Sequence, residues 1–466
     1  MTKRTRNILF SIFVISFLIV APLTVFYSLG WRFDFENFKI VQTGSFYFRA
    51  WPKSSEIFID DKLKDKTDVF FGSALVDSLA PDNYKIEVRK EGYYSWYKTL
   101  EIEKREVTEI KNVTLIPQNT NFEISAEGVE EMFVSPNNGK IIVKEESSDG
   151  KWSLKLYELE SGIKSQIVGE TDFSSKGVDL FNLKFSSDSN RIILELGLKE
   201  KLQYYILDIK KSPAVITRLD FIDSSEEIYF HPKDNNKVFI TQDVVDKRKN
   251  IITLNEVDYV GKEIFAPTFV NVVTVTITDN NIYYLDTLGS VWKSDIDGSR
   301  AEKINIMAFN YQEETDYEVI SAGLDVLLRE NELLYLFDED TKSFKKIFDS
   351  LKGYRISSDN NKLAYWSNNE IKVLFLEKQY DQPIKEKGDQ LFVTRFSESI
   401  GNVFWYTNYY LIFDLGKNIK VVELDDRGEI NIADLTEFDQ DQMLFSNKKL
   451  YLLSNKTLFT SPQLTQ

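Results

Sequence analysis

Beyond residue 118 the chain pulses, with apolar runs of strand length alternating with short polar turns. The clearest turns are Ser135-Pro-Asn-Asn-Gly-Lys140, Ser186-Ser-Asp-Ser-Asn-Arg191, His231-Pro-Lys-Asp-Asn-Asn-Lys237, Thr278-Asp-Asn-Asn281 and Ser357-Ser-Asp-Asn-Asn-Lys362. Weaker ones lie near Ser321, Asn408 and Ser446. Asn, Asp, Gly and Ser accept the left-handed or side-chain-bonded geometry that a hairpin demands. The strands that follow, such as Lys140-Ile-Ile-Val143 and Arg191-Ile-Ile-Leu194, are apolar on both faces and need cover on both sides. A further strand recurs after them, at Leu154–Leu159, Tyr204–Asp208, Ser290–Asp295, Leu333–Phe337, Ile371–Phe375 and Ile419–Glu423.

The pulses recur about every 44 residues, the period of propeller blades. Eight pulses predict an all-β propeller over residues 118–466 with eight blades, seven being the alternative. The last pulse, Met443 to Thr460, lacks its outer strand, and Asn121–Ser125 has strand composition but no partner of its own. Pairing the two would close the ring and remove an exposed edge.

The N-terminus has another texture. Ile8 to Leu29 is 22 residues without a charge, roughly 33 Å as a helix, which spans a bilayer core of about 30 Å. Lys3, Arg4 and Arg6 precede it, whereas Arg32 and Lys39 beyond it are offset by Asp34 and Glu36. The positive-inside rule then places residues 1–30 as cytoplasmic tip and single-pass anchor, with the C-terminal bulk outside the cell membrane. A cleaved signal peptide would have a shorter apolar core and an A-x-A-like site.

After a juxtamembrane linker at 31–43, residues 44–117 predict a small antiparallel β-sandwich. Its strands are Gly44–Pro52, Ile57–Asp60, Tyr84–Lys90, Trp96–Ile102 and Val107–Ile116; Tyr84, Ile86 and Val88 share a face. The segment resembles the PEGA domain of bacterial envelope proteins. The resemblance runs through Gly44, Pro52, Ile57-Phe-Ile-Asp60, Thr67, Leu79-Ala-Pro81, Tyr84, Lys90-Glu-Gly-Tyr93, Trp96 and Val113-Thr-Leu-Ile-Pro117. It departs at Pro52-Lys-Ser-Ser55, at Asp61 and Asp82 where the family has Gly, and at Asp68 where it has Pro. The resemblance implies surface display or scaffolding, without catalysis. The repeats in turn resemble TolB-like bacterial propellers.

Length and composition are consistent with this division. At 466 residues the chain predicts two or three units, and 42% hydrophobic with 14% aromatic residues is enough for true cores. Removing Lys3, Arg4 and Arg6 from 57 basic residues leaves 54 against 73 acidic, a net charge of −19 for the remainder. Such a surface repels nucleic acid, so no nucleic-acid partner is expected.

Little chemistry is legible. Without Cys there are no disulfides or thiolate sites, and the single His231 sits in a turn slot that Ser135, Ser186 and Ser357 fill elsewhere. Phosphate loops, nucleophile elbows and zinc-protease motifs are absent. Asp295-Ile-Asp297-Gly298, Asp338-Glu-Asp340 and Asp425-Asp426 read as turns rather than metal ligands. Trp152, Trp292, Trp366 and Trp405 read as packing residues, and Asn112-Val-Thr and Asn455-Lys-Thr fit the short glycosylation pattern. No catalytic, cofactor-binding or metal residue is assigned, and no cofactor is expected.

The reading is a non-catalytic, membrane-tethered binding or scaffolding protein of the bacterial cell envelope, with envelope protein or glycan as partner. The alternative is a surface hydrolase or lyase acting on glycan or peptide through carboxylates at the propeller mouth, which would bring two perturbed acids together there. A structural part of a larger machine would instead show an apolar patch on one face.

Overall fold

The computed structural model describes residues 3–28, 30–34, 39–173, 177–198, 201–220, 222, 227–244, 251–312 and 315–465. Leu29 and Glu36 lie outside them. Among the described residues the fold is all-β apart from one long N-terminal helix and a single 3-10 turn at Glu170–Asp172.

The helix runs Lys3–Ser28, contains Pro22 and buries none of its residues. Its apolar window has a mean hydropathy of 2.7. That length and exposure fit a single-pass anchor or a signal sequence. The Arg32 guanidinium lies 3.5 Å over the Tyr27 ring, and Phe26 meets Trp31 edge-on. Within the 31–43 segment, Trp31–Asp34 pairs antiparallel with Lys39–Gln42.

Residues 44–117 form two sheets around one core. Gly44–Trp51 is the middle strand of the first sheet, between Ser73–Leu79 and Val107–Thr114. Glu56–Ile59 and Asn83–Arg89 are central in the second, flanked by Lys62–Lys66 and Trp96–Glu101. The expected strands are all present, but pairing is not wholly antiparallel: Gly44–Trp51 lies parallel to Val107–Thr114. The long sequence separation between these two strands permits the crossover. Strands Lys62–Lys66 and Ser73–Leu79 escaped the sequence reading because the first is fully exposed and the second has one buried residue, so neither shows clean alternation.

Phe46 and Phe48 from the first sheet meet Ile57, Ile59, Ile86 and Val88 from the second. Gly44 has no room for a side chain, since a Cβ would sit 2.3 Å from the Glu103 carbonyl oxygen. Asp61 holds φ +60, the left-handed geometry for which glycine is the usual residue. Tyr84 is half-buried and donates its hydroxyl to the Ala80 carbonyl at 2.8 Å. Trp96 is 3% exposed and packs in this core as the alternation requires. Trp96→Ala should therefore cost about 3–5 kcal/mol in urea unfolding; wild-type denaturation would mean that its face is misassigned.

In the repeats, each of the eight polar turns joins the first two strands of a unit. Examples are Val129–Val134 to Lys140–Glu146 across Ser135–Lys140, and Gln442–Ser446 to Lys449–Ser454 across Asn447-Lys448. Third strands follow at Trp152–Glu158, Lys201–Asp208, Val291–Asp295, Leu333–Asp338, Glu370–Phe375 and Asn418–Glu423. Strands pair in order as antiparallel meanders, and the long strand Glu263–Ile277 joins two meanders into one seven-stranded sheet.

The two-faced strands do what their composition demands. Ile192 packs in a core with Leu154 and Leu156 of the unit before, while adjacent Ile193 packs with Ile228 and Val238 of the unit after. Such shared cores continue through Phe239 with Tyr284, Leu285 with Val319, Leu327 with Leu363, Val373 with Phe413, and Ile412 with Leu452. The succession returns to its start where Leu444 and Leu453 pack with Met132 and Val143.

The expected strand exchange is present, two residues further along the chain than Asn121–Ser125. Glu123–Glu127 pairs with Thr457–Thr460 and forms the outer strand of the last sheet. Phe122, just before it, lies against Phe438, which in turn meets Phe459.

Candidate functional site

First strands of neighbouring units touch side by side. Gln442 exchanges hydrogen bonds with the Met132 backbone at 3.0 and 2.8 Å. Arg355 Nε donates to the Val403 carbonyl at 2.9 Å, and Trp405 Nε1 returns a bond to the Arg355 carbonyl at 2.9 Å. First strands from three successive units, at Glu227–Tyr229, Thr274–Ile277 and Asp316–Glu318, line a cleft of about 510 Å³ together with Arg329.

This cleft brings Glu227, Asp316 and Glu318 together, as the hydrolase alternative expects of its carboxylates. Two of them are already engaged. Tyr229 donates its hydroxyl to Glu227. Glu318 accepts from the Tyr354 hydroxyl at 2.5 Å and pairs with Arg329 at 3.4 Å. Burial, then the nearby carboxylates, push both phenols well above their usual range, so these hydroxyls remain donors. The carboxyls that burial pushes up, Asp325, Asp414 and Glu423, lie elsewhere.

A second concentration of polar chemistry lies where residues 44–117 meet the repeats. Lys98 Nζ is 2.7 Å from Glu423 Oε1, and the two side chains are 0% and 2% exposed. Glu423 also accepts from the Trp96 indole N–H at 2.6 Å and from Asn431 at 2.8 Å (backbone) and 2.7 Å (side chain). Lys98 further donates to the Asp425 carbonyl at 2.7 Å and to the Glu429 carbonyl. Burial pushes the Glu423 carboxyl up, while Lys98 and the other donors pull against it. Beside this group, Arg427 grips Asp425 and donates to the Glu109 carbonyl at 3.0 Å. Lys111 pairs with Asp381 at 3.2 Å, and the Thr114 N–H donates to the Tyr410 hydroxyl at 3.0 Å.

The sequence reading missed this seam, although a signal existed. Trp96, Lys98 and Leu100 share the buried face of one strand, so Lys98 is a cation at an inward position. Glu423 likewise ends an apolar strand as a buried acid. Each implied a partner, but neither could name it across more than 320 residues.

The singled-out residues fall where turns and packing put them. His231 Nδ1 accepts the backbone N–H groups of Lys233 and Asp234 at 3.2 and 2.8 Å, and its ring stacks on Phe239. Burial lowers its proton affinity. Ser135, Ser186 and Ser357 use Oγ for related turn bonds. Asp297 accepts from Ser299, and Asp338 from Thr341 and Lys345; Asp426 pairs with Lys385. Among the described residues no group of three or more His, Asp or Glu could hold a metal. Trp152 and Trp366 are 7% exposed, and Trp292 stacks on Tyr284. Exposed Leu288, Ile306 and Met307 belong to one stretch, the turn and link of a single unit.

The sequence matches no known family and no curated protein. Solved structures similar to the chain include β-propellers. The Dos1 propeller is 11% identical over 74% of this chain and 95% of that one, with a TM-score of 0.43. The WD40 domain of SCAP from fission yeast is 11% identical over 74% and 98%, TM-score 0.43. An oligogalacturonate lyase in complex with manganese is 13% identical over 74% and 97%, TM-score 0.40. At these values they carry nothing about ligand or activity.

Proposed function

We propose that this chain is a membrane-anchored, extracytoplasmic binding or scaffolding protein of a bacterial cell envelope, in which a PEGA-like module holds an eight-bladed propeller at the membrane. The observation that carries the reading is the buried seam. A salt bridge removed from water, with Trp96 and Asn431 also donating to its acid, couples the anchor-proximal module firmly to the repeats. Rigid coupling suits display of a binding surface. The cyclic succession of shared cores supports eight blades, and the basic tip before the helix supports the outward orientation. The engaged carboxylates at the cleft favour binding over hydrolysis or elimination, since Glu227 and Glu318 already accept from tyrosine hydroxyls.

Two measurements test this. Protease added to cells with an opened outer barrier should degrade residues 31–466 and spare the tip; full protection would overturn the orientation. Amine cross-linking of the full-length protein in intact cells should trap a discrete complex that survives Glu227→Gln with Glu318→Gln. Turnover of a glycan or peptide by the purified protein, abolished by that pair of substitutions, would replace binding with catalysis.

A further inference from the structure

The seam leaves one cleft open, of about 260 Å³, between the first sheet of the small module and the strand ends of the repeats. It is lined by Trp51, Phe71 and Tyr409, by Arg49, by Lys111, whose ammonium is paired with Glu109 at 2.7 Å and Asp381 at 3.2 Å, and by Asn112 with neighbouring threonines. No carboxylate lines it, although the chain beyond the anchor carries a net charge of −19.

Phe71 is 76% exposed, yet its turn is firmly built. Asp68 Oδ1 accepts the backbone N–H groups of Phe70 and Phe71 at 2.7 and 2.6 Å. Asp68 Oδ2 takes the Ser73 N–H and hydroxyl at 2.7 and 2.6 Å, and Lys53 donates to the Phe70 carbonyl at 2.6 Å. An ordered turn thus holds an aromatic ring in water where it serves no core. This also explains why Asp stands at 68: only an acceptor with two oxygens gathers four donors. Arg49 is exposed and has no ion pair among the described residues, and the Trp51 indole N–H has no acceptor among them.

We propose that this cleft binds an acidic sugar, a uronic-acid unit of an envelope glycan. Aromatic faces take the apolar face of a pyranose ring, the amide and hydroxyls meet its hydroxyl groups, and the free Arg49 fork pairs with a carboxylate. The volume lies just below the range of small-ligand sites and holds roughly one or two sugar rings. A compact void favours a ring over an extended acidic peptide, which would need a long open groove. The inference rests on the extracytoplasmic binding reading and names its ligand class.

The test titrates full-length protein in detergent with trigalacturonate, maltotriose and triglutamate, following tryptophan fluorescence. Saturable binding of trigalacturonate is expected, at least tenfold tighter than maltotriose. Arg49→Gln and Phe71→Ala should each weaken it at least tenfold with unchanged thermal unfolding, since both side chains are exposed. Lys262→Gln, at an exposed lysine of the repeats, should leave it unchanged. No saturation by millimolar trigalacturonate, insensitivity to Arg49→Gln, or tighter binding of triglutamate would each overturn the acidic-sugar site. None of these results would touch the cross-linked complex, so the scaffold reading fails or survives separately.

Discussion

Deleting residues 119–127 should collapse the repeats in one cooperative step and promote aggregation, even though the segment looks like a linker. Its strand supplies the outer edge of the last sheet through Glu123↔Thr460 and Glu127↔Thr457. Its loss removes several ladder bonds, each worth about 1 kcal/mol net, and the packing of Phe122, worth about 3 more. It also bares Thr457–Thr460 as an unpaired edge, a template for another chain. Chemical unfolding and light scattering read both effects. A gentler check uses the absence of native Cys. Ser125 Oγ and Thr460 Oγ1 are 2.7 Å apart, so Ser125→Cys with Thr460→Cys should cross-link on oxidation. The bond would close a loop spanning 335 residues and stabilise the ring by roughly 6 kcal/mol on chain entropy alone. Failure to cross-link in folded protein would refute the closure.

Glu423→Ala should destabilise by about 3–5 kcal/mol, because it leaves the Lys98 ammonium buried without a counter-charge and strands the Trp96 N–H. Lys98→Met should cost a similar amount by the same logic. Combined as Lys98→Met with Glu423→Leu, the loss should shrink by half or more, since no lone charge remains buried. Limited proteolysis near Pro117–Asn121 adds a readout of coupling: single variants should be cut faster there, and the double variant less so. Additive losses across the cycle would mean that the pair does not act as a unit.

The fold was legible where the physics is local. Turn chemistry located the hairpins because Asn, Asp, Gly and Ser accept either positive φ, as Asn138, Ser189 and Asn360 adopt, or side-chain bonds to turn backbone, as His231 and Thr278 make. Strands apolar on both faces announced stacking, and Ile192 beside Ile193 delivers it. The parallel partner of Gly44–Trp51 was not legible, because alternation reports which face is buried and not which neighbour bonds the edge. The seam failed for the same reason. Lys98 and Glu423 each break a pattern, but pairing them needs three-dimensional proximity that no period encodes. Asp68 departs from the Pro of the resembled motif, and its role lies in the four donors that the folded turn brings to it.

The strand exchange also sets the order of events during synthesis. Residues 123–127 emerge early and then wait about 330 residues for 457–460, roughly 20–70 s at ribosomal speeds of 5–20 residues per second. Residues 44–117 have their own core and can fold within that interval. The repeats cannot finish until Thr457–Thr460 is delivered, so the growing chain carries an open edge until then.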